Sequence, residues 1–264
     1  MSPPLAGLPG HPPALWRAGG PRSLAAELWG ADFELHADDC PLAPGPWKDR
    51  VGGKIVTCVG SGDWDKNANG YAGVTKSDVC YGEFGEDVAQ KILGQSFDAT
   101  DWRTIAVIAE VDTSTAIQPI AHGNYTGPNN TCELAKRRTS SSHAAYYLTR
   151  TNTTGGTFTT FARPRATAGT RILIAASARQ HNTAYQLRSA SNDAVWSAVN
   201  GTLFQTGTFA SGFLFRRGLY SSLTITNATT RNLRIKSLAA GPGTVDPLLL
   251  RDWFRAEGGT WVLP

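Results

Sequence analysis

A dozen short segments between residues 31 and 238 alternate apolar with polar side chains or run apolar for a few residues, separated by Gly, Asn, Pro and Ser clusters. They span 31–36, 54–58, 104–111, 117–122, 145–150, 157–162, 171–178, 183–188, 202–206, 212–216, 222–226 and 232–238. Successive side chains of a strand point to opposite faces, so a period of two marks a strand with one buried face. The separating residues supply the backbone angles of tight turns. So many closely spaced strands with few helical intervals lead us to expect an all-β fold, a two-sheet antiparallel jelly-roll sandwich. A single sandwich over residues 27–264 accounts for the length.

Two segments carry a helical period instead. "GEDVAQKILG" (85–94) places Val88, Ile92 and Leu93 on one helical face and ends in Gly94. "VDPLLLRDWFRAEGG" (245–259) has Asp246 as cap, Pro247 at the first helical position and Gly258 beyond the end. Its Leu249, Leu250, Trp253 and Phe254 are expected to pack this short C-terminal helix onto the sandwich. The first 26 residues are rich in Pro and Gly, which suit neither a ladder nor a helix interior, so they are expected to form an extended arm. Leu15 and Trp16 are its expected anchors in an assembly.

Charged residues make up 17% of the chain and hydrophobic ones 41%, a globular balance. No run reaches the roughly 18 apolar residues that span a bilayer, so no membrane insertion is expected. The opening lacks a basic start and an apolar block, so no secretory signal is read and synthesis in a cytoplasm is expected. On that expectation the Asn-x-Thr triplets at Asn124, Asn129, Asn152, Asn200 and Asn227 are incidental. Cys40, Cys58, Cys80 and Cys132 show no C-x-x-C pair and are expected to be free, buried thiols.

Charge is unevenly shared. Residues 1–133 hold 9 Lys and Arg against 17 Asp and Glu, whereas 134–264 hold 16 against 4. Either strands of the two halves interleave and neutralise one another, or the molecule has an acidic and a basic face that meets copies of itself or a charged partner.

"GDWDKNANGY" (62–71) spaces Asp65, Asn67 and Asn69 two apart and follows them with Gly70, as in an EF-hand loop. The twelfth position, where that loop needs a bidentate Glu, is Lys76. The expectation is a polar strand-to-strand loop and no cofactor, with a shallow Ca2+ site on Asp63, Asp65, Asn67 and Asn69 as the alternative. Trp64 and Tyr71 in the same string are the candidate aromatics for stacking on a sugar. In "AEVDTST", Glu110 and Asp112 share one face of a strand, as a two-carboxylate glycosidase requires. The next position on that face is Ser114, so an acid partner is missing and no catalytic residue is assigned. His11, His36, His122, His143 and His181 have no ligand spacing, and no G-x-S-x-G elbow is present. The basic clusters at 136–138 and 216–217 come without a recognition helix or stacking motif, which excludes nucleic acid as an expected partner.

The order of these features resembles the concanavalin A-like lectin/glucanase superfamily, laminin G-like domains in particular. The resemblance rests on "LWGADFELHADD" (28–39), then "PWKDRVGGK" (46–54) with Trp47, Asp49 and Gly52 in a W-x-D-x-x-G string. It continues through "WRTIAVIAEVD" (102–112), "AVWSAVNGTLFQTGTF" (194–209) with a hairpin turn at Asn200-Gly201, and the closing "LRIKSLAAGPGTVDPLLLRDWFRA" (233–256). Domains of this kind with an N-terminal arm are similar to virion proteins of tailed bacteriophages. The resemblance implies a non-enzymatic structural or adhesion protein of the virion, as a capsid decoration, head fibre or tail appendage. Its partners would be other virion proteins and copies of itself. A lectin-like module that binds a host glycan is the alternative, and a glycoside hydrolase a third reading.

Overall fold

In the computed structural model the described residues are 21–75, 80–93, 102–110, 118–125, 131–138, 144–151, 157–162, 171–181, 184–191, 194–202, 209–215 and 234–260. Leu15, Trp16, Asp112 and Ser114 lie outside them. The helices are α1 (Leu24–Trp29), α2 (Glu86–Leu93) and α3 (Pro247–Ala256). The early strands are β1 (Phe33–His36), β2 (Pro46–Lys48), β3 (Ile55–Gly60), β4 (Trp64–Lys66), β5 (Ala72–Val74), β6 (Cys80–Gly85) and β7 (Arg103–Glu110). The later ones are β8 (Gln118–Tyr125), β9 (Thr131–Arg138), β10 (Ala144–Thr151), β11 (Thr157–Ala162), β12 (Arg171–His181), β13 (Ala184–Ser191), β14 (Ala194–Thr202), β15 (Phe209–Leu214) and β16 (Arg234–Pro242).

These strands build two antiparallel sheets, the expected all-β sandwich with a short C-terminal helix. One sheet runs β14-β13-β12-β7-β16-β5-β4, and the far edge of β16 is shared between β5 and β1. The other runs β11-β10-β9-β8-β15-β6-β3-β2. β7 pairs with β12 on one side and β16 on the other, so a strand of the acidic half lies between two of the basic half. Asp65 pairs with Arg234, and Lys236 Nζ lies 2.9 Å from Asp38 Oδ1, so charges of the two halves meet one another.

Along β7, β16 and the first half of β12, the first sheet is buried on both faces. Along β7, Ile105, Val107 and Ala109 face the inter-sheet core while Ala106 and Ile108 face a second core on the outer side. Ile172 and Ile174 alternate in the same way with Leu173 and Ala175 on β12. The second core is closed by α1 and α3, whose Trp29 and Trp253 rings meet edge to face at 5.8 Å. Each large side chain that α3 buries there, Leu250, Trp253 and Phe254, contributes about 1.5–3 kcal/mol.

The cap of α3 is as the sequence predicts: Asp246 accepts from the Leu248 amide at 2.8 Å, and Pro247 opens the helix. Residues 24–26, read as the end of an extended arm, are instead the first turn of α1. Ser23 caps that helix, and Gly30 at φ 75° ends it in a left-handed conformation. A second correction falls at Asn200-Gly201. β14 continues straight through this dipeptide, pairing Asn200 with Gln186 and Gly201 with Tyr185. The ladder to β13 overrides the local turn preference there.

Candidate functional site

The string 62–71 folds as a β-hairpin. β4 and β5 pair from Trp64 opposite Val74 to Lys66 opposite Ala72. Asn67 organises the turn between them: its Oδ1 accepts from the amides of Asn69 at 3.1 Å and Tyr71 at 2.9 Å. Gly70, at φ 76°, takes the one left-handed position in the turn, where a side chain would be strained.

Three of the four side chains proposed as Ca2+ ligands have protein partners. Asp65 is paired with Arg234, while the Asn67 and Asn69 side-chain amides both donate to Glu110, Asn69 at 3.0 Å. Asp63 contributes its backbone, which exchanges hydrogen bonds with Thr75. Among the described residues no three His, Cys, Asp or Glu side chains converge as a metal cluster.

The structure thus joins two features that the sequence presents separately. Glu110 ends β7, and both its carboxylate oxygens accept from the hairpin's asparagines. On the flanking strands its register partners are Arg171 and Arg234. Its acceptors are thereby committed to holding the hairpin turn.

Trp64 and Tyr71 do not stand exposed as stacking aromatics; each retains 1% of its accessible surface. Trp64 faces the inter-sheet core, edge to face with Trp47 at 5.2 Å, and its Nε1 donates to the Gly45 carbonyl at 2.8 Å. Tyr71 lies in the second core, where burial pushes its hydroxyl up to about 12. Alternation points Trp64, Ala72 and Val74 into the inter-sheet core, whereas Tyr71 lies on the opposite face, in the core that α1 and α3 close.

The W-x-D-x-x-G string has a structural role. Asp49, 3% exposed, accepts four backbone amides: Glu34 (2.8 Å) and Val51 (2.9 Å) on Oδ1, Gly52 (2.7 Å) and Lys54 (3.3 Å) on Oδ2. Trp47 donates from Nε1 to the His36 carbonyl at 3.0 Å. Together they fasten β1, which belongs to one sheet, to the β2–β3 turn of the other.

Below this clamp lies a buried polar strip. His36 Nε2 is 2.9 Å from Glu257 Oε2, and Ser237 donates to Glu34 Oε1 at 2.8 Å. Burial pushes the Glu34 carboxyl above its ordinary range, and its Oε2 has no hydrogen-bond partner. No sequence pattern marks this strip, because it is assembled from residues 34, 36, 237 and 257.

The outer face of the second sheet differs from that of the first. On β2, β3 and β6, Trp47, Val56, Cys80 and Phe84 point into the core. Pro46, Lys48, Ile55, Thr57 and Glu83 are exposed on the opposite face, with Val59 and Tyr81 half-buried beside them. Thr57 is at the centre, with Pro46 opposite on one neighbouring strand and Glu83 on the other. No helix of the described residues is long and apolar enough to cross a membrane.

No protein-family model matches the chain, and neither does any curated protein. Among solved structures, the botulinum neurotoxin serotype D/C binding domain is similar at 11% identity and TM-score 0.49, over 86% of this chain and 52% of that one. A structure titled for entry of botulinum neurotoxin type C through two ganglioside molecules matches at 11% and 0.48, over 84% and 52%. The carbohydrate-binding module of a Ruminococcus gnavus sialidase, bound to sialyllactose, matches at 16% and 0.40, over 59% and 83%. The chain thus spans about half the length of the neurotoxin domains. At these identities and scores the likenesses carry no functional argument, and the class of protein that the chain's own fold defines is an antiparallel two-sheet β-sandwich.

Proposed function

We propose that this chain is a non-enzymatic adhesion protein that takes a glycan on the outer face of β2, β3 and β6. One observation carries the reading. The outer face of the first sheet is covered along β7, β12 and β16 by α1 and α3, whereas that of the second displays Lys48, Ile55, Thr57 and Glu83 to solvent. Hydroxyl, ammonium and carboxylate groups beside an apolar side chain suit a sugar, which offers hydroxyls on its edges and C–H groups on its faces. The carboxylate that sequence spacing offers for hydrolysis, Glu110, has its acceptors committed to Asn67 and Asn69, which supports binding over turnover.

In its finer form the proposal follows the resemblance. The chain is a component of a tailed-phage virion, assembled with other virion proteins and copies of itself, with the residues ahead of α1 as anchor and the exposed face turned toward the host. Binding is proposed to need no cofactor.

A glycan array probed with the full chain, with and without a calcium chelator, tests the reading. Wild type is expected to bind a restricted set of glycans in both conditions. Thr57→Arg, which puts a long cation at the centre of the face, is expected to lose that binding while keeping its fold. Surface substitutions of this kind change stability by about 0.5 kcal/mol or less. An array with no bound glycan, or binding untouched in Thr57→Arg, overturns the reading.

A further inference from the structure

We propose that Cys58 and Cys80 are a disulfide-forming pair, a modification site that staples the excursion of the chain from one sheet to the other and back. The pair spans β3 and β6, antiparallel neighbours in the second sheet. Between them the chain leaves that sheet, forms the β4–β5 hairpin in the first sheet, and returns. A bond here closes the foot of the excursion that carries Trp64, Tyr71 and the asparagines on Glu110.

Three observations carry this. The two sulfurs are 2.9 Å apart, inside the contact distance of two unbonded sulfur atoms, and a bond requires a further approach of about 0.9 Å. The residue directly opposite each cysteine is a glycine: Cys58 faces Gly82 and Cys80 faces Gly60. With no side chain between them, the sulfurs meet diagonally across the strand pair. Accessibility is also unequal, since Cys58 is half-buried and Cys80 fully buried.

That inequality sets an order of events. The Cys58 thiolate attacks a sulfur of a small disulfide oxidant such as oxidised glutathione, forming a mixed disulfide and releasing one reduced thiol. The Cys80 thiolate then attacks the Cys58 sulfur and releases the second. In sum, two protein thiols become one disulfide, and the oxidant's disulfide takes up the two electrons and two protons as two thiols. Burial raises both thiols, Cys80 to about 12, so the reaction in the folded chain is slow at neutral pH and faster as pH rises. The same burial protects the finished bond. It is expected where the chain folds or matures in an oxidising compartment and absent from a chain kept in a reducing one. The inference is independent of the glycan reading.

The full-length chain is tested in two arms, one native and one refolded from denaturant, each with oxidised glutathione. Remaining thiols are then alkylated under denaturing conditions, and the intact mass and peptide map are read. The expected product has lost two hydrogens, keeps two alkylatable thiols of four, and links the Cys58 and Cys80 peptides. Cys58→Ser is expected to keep all three of its thiols. Four alkylated cysteines in both arms, a glutathione adduct left unresolved on Cys58, or a link to Cys40 or Cys132 would each overturn the proposal.

Discussion

Asp49→Ala removes the clamp between the two sheets, and the structure sets the size of the loss. Four backbone amides lose their acceptor, at 2.7, 2.8, 2.9 and 3.3 Å. The Glu34 amide is buried, and leaving such a donor unpaired costs about 1–3 kcal/mol. Water reaches the Val51, Gly52 and Lys54 amides more readily, so they add about 2 kcal/mol together in lost bonds to a charged acceptor. The total is about 3–5 kcal/mol. In a chain of this size each kcal/mol moves the melting midpoint by about 2–4 °C, so a fall of about 6–20 °C is expected by calorimetry. Asp49→Asn sharpens the test because it conserves volume. Whichever way its amide turns, an NH2 group faces backbone donors, so about half the loss is expected to remain. A midpoint within about 1 °C of wild type for Asp49→Asn would refute the reasoning, since packing alone accounts for that result.

Trp64→Ala is expected to cost about 3–5 kcal/mol in a denaturant titration, as for a fully buried indole; an exposed sugar platform would leave stability unchanged. Glu34→Gln keeps an acceptor for Ser237 and removes a buried charge. A carboxyl raised in the folded state favours folding below its unfolded pKa, and that gain is lost as pH rises through the folded value. Glu34→Gln should therefore lack the stability that wild type gains as pH falls toward the ordinary carboxylate range; equal pH slopes would contradict this. Asp32 has the opposite sign: burial alone would raise it, but Arg103 and Lys91 outweigh burial and hold it below the usual range. Its contribution is present at neutral pH and lost as pH falls below about 4, so Asp32→Asn should flatten the acid limb of a stability profile.

Those strands and caps were legible whose signals are local. β12 and β7 read as apolar runs because helices cover the first sheet's second face, and α3 announces itself through Asp246 and Pro247. The three-residue strands β2, β4 and β5 are too short for a period of two to register. α1 carried its own signals in Ser23 and Gly30, hidden by the prolines and glycines before it. The clamp at Asp49 was visible as a string, but its role depends on Glu34, fifteen positions away in the chain. The burial of Trp64 and Tyr71, the commitment of Glu110 to two asparagines, and the cysteine pair all depend on long-range strand registers, which residue spacing does not encode.

The most direct measurement is an NMR titration of the isotope-labelled full chain with the glycan that the array selects. The expected result is saturable shift changes at the amides of Lys48, Ile55, Thr57, Tyr81 and Glu83, with the Glu110 hairpin unchanged and the glycan recovered intact. Changes confined to the hairpin or the helix-covered sheet, or cleavage of the glycan during the titration, would contradict it.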